Sequence, residues 1–310
     1  MFPRRQIRYC GSILVRIAHP VQNDGKALLY GLAAVLCWST VATGFKLGLR
    51  TLAPVQLLFA GACVSALVFC VAAARRGWPR RHLELREGLL LGLLNPVIYY
   101  VILFEAYDRL PAQIAQPLNY TWAIMLALLA VPMLGQRLSG RMLAGILLGY
   151  AGVVVLLSQG RFDALPRIDW FGVVLALAST VAWAGYWLLN ARSTTEPTAL
   201  MATSFCAALP VLAGLCALGP GLPPVSADTL IYGTWVGCIE MGMTFLLWQQ
   251  ALKLASEAAR IGQLIFLSPF VSLLLIGAVL GEHVHPTSWI GLGIIVTGLI
   301  VTGRPTPQSR

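Results

Sequence analysis

Charge is what this chain has least of. Of its 310 residues only 11% are Asp, Glu, Lys or Arg, while 58% are hydrophobic; ordinary soluble domains carry roughly 25% charged residues. A soluble protein of this size needs a charged surface, and there are too few charges here to cover one. Lipid is therefore the expected outer solvent. The net charge of +10 has no aromatic-interleaved basic face behind it. The basic residues sit in short segments between long apolar runs, which excludes a nucleic-acid partner. They read instead as determinants of membrane topology and as contacts to anionic lipid.

The residues of metal and nucleophile chemistry are equally thin. None of the seven cysteines belongs to a CxxC pair, and Cys37, Cys63, Cys70, Cys206, Cys216 and Cys238 fall in apolar runs, where cysteine acts as a small buried hydrophobe. The four histidines, His19, His82, His283 and His285, all lie outside those runs. No HExxH or GxSxG pattern occurs, so the chain does not read as an intramembrane enzyme. No GxxxxGK[ST] loop occurs either, which argues against direct drive by ATP. Glu282, His283 and His285 crowd into one turn with no fourth ligand, so no metal and no other cofactor is expected.

Residues 1–26 also lack a signal core: Ile13 to Ala18 is interrupted by Arg16. The segment 1–27 reads as a basic cytoplasmic tail.

What is present is a series of apolar runs, each near the 20 residues that a bilayer core requires. Ten are expected: 28–48, 53–74, 88–106, 112–134, 142–159, 170–190, 198–218, 229–251, 261–280 and 286–302. The fold class is thus all-α and membrane-embedded, with ten helices. With the N-terminus cytoplasmic, the large majority of the 22 Lys and Arg fall on the inner side, so both termini are expected there, in a bacterial inner (plasma) membrane.

The two halves repeat. Trp38 matches Trp183, Gly92 matches Gly237 and Ala106 matches Ala251, each 145 residues apart. Leu134-Gly135 matches Leu280-Gly281, and Gly145 matches Gly291, one residue further apart. Residues 28–159 and 170–302 then form two five-helix units, with a C-terminal tail at 303–310. Five is odd, so the second unit enters the membrane in the opposite sense, an inverted repeat with a midplane site between the halves. Gly44/Gly48, Gly88/Gly92 and Gly145/Gly149, four residues apart, allow close helix packing.

Three stretches give the chain its likeness to a known family. They are Gly31 to Thr40; Phe104 to Ala112 followed by Leu134-Gly135-Gln136-Arg137-Leu138-Ser139; and Trp248 to Arg260 followed by Pro269 and Leu280-Gly281-Glu282-His283. In that order and spacing, over residues 28–302, the chain resembles EamA-type members of the drug/metabolite transporter superfamily. Pro117 to Trp122 is similar to a stretch of aromatic amino acid exporters, except that Ala123 stands where those have proline. The resemblance implies export of amino acids or related small metabolites. Uptake or exchange of organic cations or drugs remains the alternative, with a channel or sensor behind it.

Glu240 is the sharpest candidate residue: a lone acid in mid-span, which costs at least about 2.5 kcal/mol and by default faces a cavity or partner. It is expected to bind a substrate amine or carry a coupling proton, opposite its repeat partner Asn95. Trp38, Ser39, Thr40, Trp183 and Tyr186 form mirrored polar-aromatic clusters suited to flat or cationic groups. Tyr99, Asn119, Trp122 and Gln263 complete the candidate substrate site, packing between helices being the alternative for each. The expected partners are a small-molecule substrate and the lipid bilayer, for a monomer or homodimer.

Overall fold

The computed structural model describes residues 23–76, 82–134, 139–160, 168–190, 192–193, 195–255, 261 and 263–303, and among these there is no strand. Eight helices are long and apolar enough to cross a membrane: α1 (Asp24–Gly48), α2 (Pro54–Arg75), α3 (Leu85–Arg109), α4 (Ala112–Met133), α5 (Gly140–Ser158), α6 (Trp170–Asn190), α7 (Pro197–Leu218) and α8 (Ala227–Leu252). Two shorter apolar helices follow, α9 (Leu264–Leu280) and α10 (Pro286–Val301). Residues 1–22 of the expected tail, residues 304–310 and the Gln136-Arg137 segment lie outside the described residues.

The helices begin where side chains satisfy the first free backbone N–H groups. Asn23 Oδ1 accepts from Lys26 N at 2.9 Å at the start of α1. Asp169 accepts from Gly172 N at 3.0 Å before α6, and Glu196 from Ala199 N at 2.8 Å before α7. Ser139 and Ser226 do the same for α5 and α8. The outward faces are aliphatic: Leu29, Leu90, Leu147 and Val154 are each exposed by 63–69%. Such faces are stable when hydrocarbon covers them.

Helix ends meet in consistent groups. Asn23 N donates to Leu254 O at 3.0 Å, joining the start of α1 to the end of α8, and the Arg192 guanidinium donates to Met133 O, joining the ends of α6 and α4. At the opposite end, Lys46 after the middle of α1 reaches the α3–α4 corner, and Gln56 at the start of α2 donates to Gly221 O beyond α7 at 3.1 Å.

Glycine sets the closest helix approach. A Cβ on Gly152 of α5 would lie 2.7 Å from Gly291 O and Ile295 N of α10, and one on Gly298 would lie 2.6 Å from Gly145 O. Backbones in such contact gain dispersion contacts that a larger residue forbids.

Five helices are interrupted near the middle of the bundle. α1 turns at Thr40. α3 passes through a π-helical stretch, Leu93–Ile98, in which Asn95 has non-helical φ −143° and ψ 115°. α4 breaks at Thr121. α8 has a π-helical turn, Val236–Glu240, followed by Met241 and Gly242, and α9 opens as a 3₁₀ turn, Gln263–Leu267. Broken backbone is tolerated at membrane depth where protein buries it or a cavity receives it. Hydroxyls take up part of the freed carbonyls: Thr40 donates to Cys37 O at 2.6 Å and Thr121 to Leu118 O at 2.7 Å.

Candidate functional site

A cavity of about 250 Å³ lies among these interruptions. Its wall takes Trp38, Val41 and Phe45 from α1, Tyr99, Leu103 and Tyr107 from α3, and Gln116, Asn119, Tyr120 and Trp122 from α4. Trp183 and Trp187 come from α6, Glu240 and Trp248 from α8, and Ile265 from α9.

Trp183 is the hub of the aromatic wall. It stacks on Tyr99 with centroids 4.5 Å apart and on Tyr186 at 5.6 Å. Trp187 and Trp122 meet it edge-on at 5.7 and 6.4 Å. Trp38 packs edge-on against Trp248 at 5.3 Å and Phe245 at 5.8 Å. Edge-on and offset pairs are the favourable arrangements of aromatic quadrupoles, so the wall is both apolar and geometrically fixed.

Glu240 is the one carboxylate in this wall and is 9% exposed. Tyr100, fully buried behind it, donates its hydroxyl to Glu240 Oε1 at 2.9 Å. That leaves the second carboxylate oxygen for a ligand. Asn119 lies across α4 and donates to Ser179 Oγ at 3.1 Å and to the Tyr99 hydroxyl at 3.3 Å. Two polar atoms of the wall are buried without a hydrogen-bond partner: Gln116 Oε1 and Trp187 Nε1. An unpaired buried polar atom costs about 1–3 kcal/mol, so both are positions that a polar ligand relieves.

Six of the residues singled out from sequence line the cavity together: Trp38, Tyr99, Asn119, Trp122, Trp183 and Glu240. Four others stand behind the wall. Ser39 is fully buried and bonds Val35 O at 2.7 Å and Ser268 Oγ at 3.3 Å, tying α1 to α9. Thr40 caps its own helix turn. Tyr186 donates to Met201 Sδ at 3.1 Å. Asn95, expected opposite Glu240, is not among the residues of the cavity wall: it is 1% exposed, and its Oδ1 is buried without a hydrogen-bond partner. Gln263 begins the 3₁₀ turn of α9; its side chain lies outside the described residues.

Val41, Phe45, Leu103, Tyr107, Trp248 and Ile265 were missed as wall residues. Helical periodicity carried a signal for most of them. Trp38, Val41 and Phe45 follow one another by three and four residues, and Tyr99, Leu103 and Tyr107 by four and four, so each set shares one helix face.

The charged residues near helix ends serve structure. Arg109 pairs with Glu105 at 2.7 Å and with Asp169 at 3.4 Å. Glu282 accepts from the backbone of α4. Among the described residues no group of three or more His, Cys, Asp or Glu side chains is placed to hold a metal ion.

An aromatic cage with one carboxylate, set among interrupted membrane helices, defines a transporter of small organic molecules rather than an enzyme. The chain belongs to the EamA-like transporter family, whose model matches residues 25–158 and 170–304. It is 28% identical to the aromatic amino acid exporter YddG of Ancylobacter novellus, over 82% of this chain and 88% of that protein. It is 25% identical to a probable amino-acid metabolite efflux pump of Escherichia coli, over 90% of this chain and 94% of that one. A probable terminal-alkyne amino-acid exporter of Streptantibioticus cattleyicolor is 24% identical over 92% of this chain and 96% of its own length. A crystal structure with 26% sequence identity superposes with a TM-score of 0.63, covering 89% of this chain and 97% of that one. The protein is a membrane transporter of small metabolites.

Proposed function

We propose that this protein exports amino acids with aromatic or similarly bulky apolar side chains by alternating access. The observation that carries the proposal is Glu240: a single carboxylate, oriented by Tyr100, in a cavity walled by aromatic rings. The substrate ammonium binds the free oxygen of Glu240 and the faces of neighbouring rings, where a cation is attracted by the ring quadrupole. Trp187 Nε1 has no partner and donates to the substrate carboxylate. Gln116, with Oε1 unpaired, receives the rest of the ammonium. The side chain stacks along Trp183 and Trp38. The need for both a donor and an acid favours a zwitterion over a simple organic cation.

The wider architecture follows the repeat. The eight long helices with α9 and α10 make ten spans, in two inverted units at 28–159 and 170–302, flanked by tails 1–27 and 303–310. The meeting of α1's start with α8's end, and of Lys46 with the α3–α4 corner, supports alternate helix ends lying on alternate sides. Both termini face the cytoplasm of a bacterium, with the protein in its inner membrane. Glu240 carries the coupled proton when substrate leaves.

Counterflow of labelled phenylalanine and tryptophan in proteoliposomes tests this. The expected result is saturable counterflow for the wild type and a loss of tenfold or more in Glu240→Gln, worth about 1.4 kcal/mol per tenfold. Full counterflow in Glu240→Gln, or stabilisation of the purified protein only by cations that lack a carboxylate, would overturn it.

A further inference from the structure

We propose that the α3–α4 corner is the lid that seals one end of the transport cavity, and that Lys46, Glu282 and Gln113 are the positioning residues that hold it shut. The inference rests on the transport reading above, but not on the identity of the substrate.

The seal contains a cluster of aromatic rings. Phe45, Phe104 and Tyr107 are all buried to 3% exposure or less. Phe45 packs on Phe104 at 4.3 Å and edge-on against Tyr107 at 5.3 Å. Phe45 and Tyr107 border the central cavity, while the residues that follow them, Lys46 and Asp108, border a separate polar pocket of about 290 Å³ together with Glu282. Consecutive residues of the same two helices thus border the two spaces, with the rings on the cavity side.

Two clasps grip the corner behind those rings. From α1, Lys46 Nζ donates to Tyr107 O at 2.8 Å and to Leu110 O at 3.0 Å. From the α9–α10 connection, the Glu282 carboxylate accepts from Ala112 N at 3.0 Å and Gln113 N at 3.3 Å. The Gln113 amide completes the second clasp: Nε2 donates to His283 O at 2.9 Å, and Oε1 accepts from His285 N and Ser288 Oγ, each at 3.1 Å. All the corner's backbone partners are helix-end groups, which no helix bond satisfies and which water can take over when the corner moves. The clasps therefore release without unfolding a helix.

The clasped segment also has joints. It is bounded by the non-helical Asn95 in α3 and by the break at Thr121 in α4, and at its tip Leu110 is extended, with φ −106° and ψ 149°. A few such positions absorb the backbone change of a hinged closure. At the far end of the cavity Trp122, Trp187 and Trp248 are only half-buried, in contrast to the buried ring cluster.

Accessibility labelling tests the lid. All seven native cysteines are replaced, Leu103→Cys reports on the cavity, and a membrane-impermeant maleimide is added on the corner's side. The expected result is slow labelling in the parent and a rate about tenfold higher in Glu282→Gln with Gln113→Ala, in protein that still elutes as a folded species. An unchanged rate in that folded double variant overturns the lid. Should the double variant not fold, Gln113→Cys with His283→Cys, joined by a short bifunctional maleimide, gives the converse test. Joining is expected to block labelling of Leu103→Cys from the corner's side and to cut transport at least tenfold while ligand stabilisation persists. Undiminished transport after complete joining overturns the proposal. Blocked labelling with no amino acid bound or moved upholds the lid and defeats the substrate reading instead.

Discussion

The helices α3 and α8 break at Asn95 and Glu240, positions 145 residues apart in the repeat, yet the two breaks deliver different chemistry. Both sites carry π-helical turns, Leu93–Ile98 and Val236–Glu240. In α3 the turn contains Pro96, which has no N–H to offer the helix, and the Asn95 side chain at the break is buried outside the cavity wall. In α8 the turn ends at Glu240, two residues before Gly242, and the Glu240 side chain borders the cavity. The two halves share a way of opening the backbone at mid-depth; only one half has used the opening to present an ionisable group. Duplication accounts for the scaffold, and divergence at single positions accounts for the polarity of the site.

The largest effect that bears on this contrast comes from moving the acid to the other break. Asn95→Asp combined with Glu240→Gln keeps one carboxylate but places it at the α3 break, outside the cavity wall. Counterflow is expected to stay at least tenfold below wild type, as in Glu240→Gln alone. Restored counterflow would mean that the two positions are interchangeable and that the contrast is empty.

Next in size is Trp183→Ala, which removes the ring that both halves contact. Trp→Ala in a packed interior costs about 3–5 kcal/mol. Thermal unfolding in detergent is expected well below wild type, and ligand stabilisation lost. Trp183→Phe keeps a ring and is expected to lose less of both. Equal losses in the two variants would show that size alone matters at the hub and not the aromatic face.

Tyr100→Phe has a smaller effect and acts through Glu240. It deletes a hydrogen bond to a charged group, worth about 1.5–3 kcal/mol. Packing around the ring is kept. The empty protein is expected to lose stability of that order, and substrate affinity to fall about tenfold as well because the carboxylate is no longer held toward the ligand, measured by thermal unfolding and ligand titration. An equal loss of stability, with affinity intact, would reduce Tyr100 to a core residue.

Much of this was legible in the sequence, and the limit is physical. Scarcity of charge announced the membrane, because burial in lipid is a property of the whole chain. Glu240 announced itself because an isolated acid in an apolar run has few bland explanations. The aromatic pairs Trp38 and Trp183 emerged from the repeat spacing. What the sequence did not carry was direction at the breaks. Periodicity gives a side chain's direction only while the helix stays regular, and at Asn95 the backbone leaves helical φ and ψ. For the same reason the regular faces of α1 and α3 held Phe45 and Tyr107 in plain view. They do not stand out in sequence because apolar aromatics in an apolar chain give no contrast. The clasp of Glu282 was hidden too, since it joins residues 170 apart whose meeting depends on the complete fold.

The smallest effect contrasts the buried acid with one at the rim. Asp169 lies before α6, exposed, and accepts from Gly172 N at 3.0 Å. That backbone bond, then Arg109, holds its carboxyl below the ordinary aspartate range; Arg109 is shared with Glu105. A carboxyl lowered in the folded state contributes stability above its unfolded value, about 3.9, and loses it as pH falls through the folded value. Asp169→Asn keeps a helix-capping side chain and removes the charge. The unfolding midpoint of the wild type is therefore expected to fall slightly more steeply than that of Asp169→Asn below about pH 4. The difference should shrink in high salt, because exposed charges are screened. Parallel pH profiles for the two proteins would show that the rim carboxylate is held by geometry alone, with its charge spent on water.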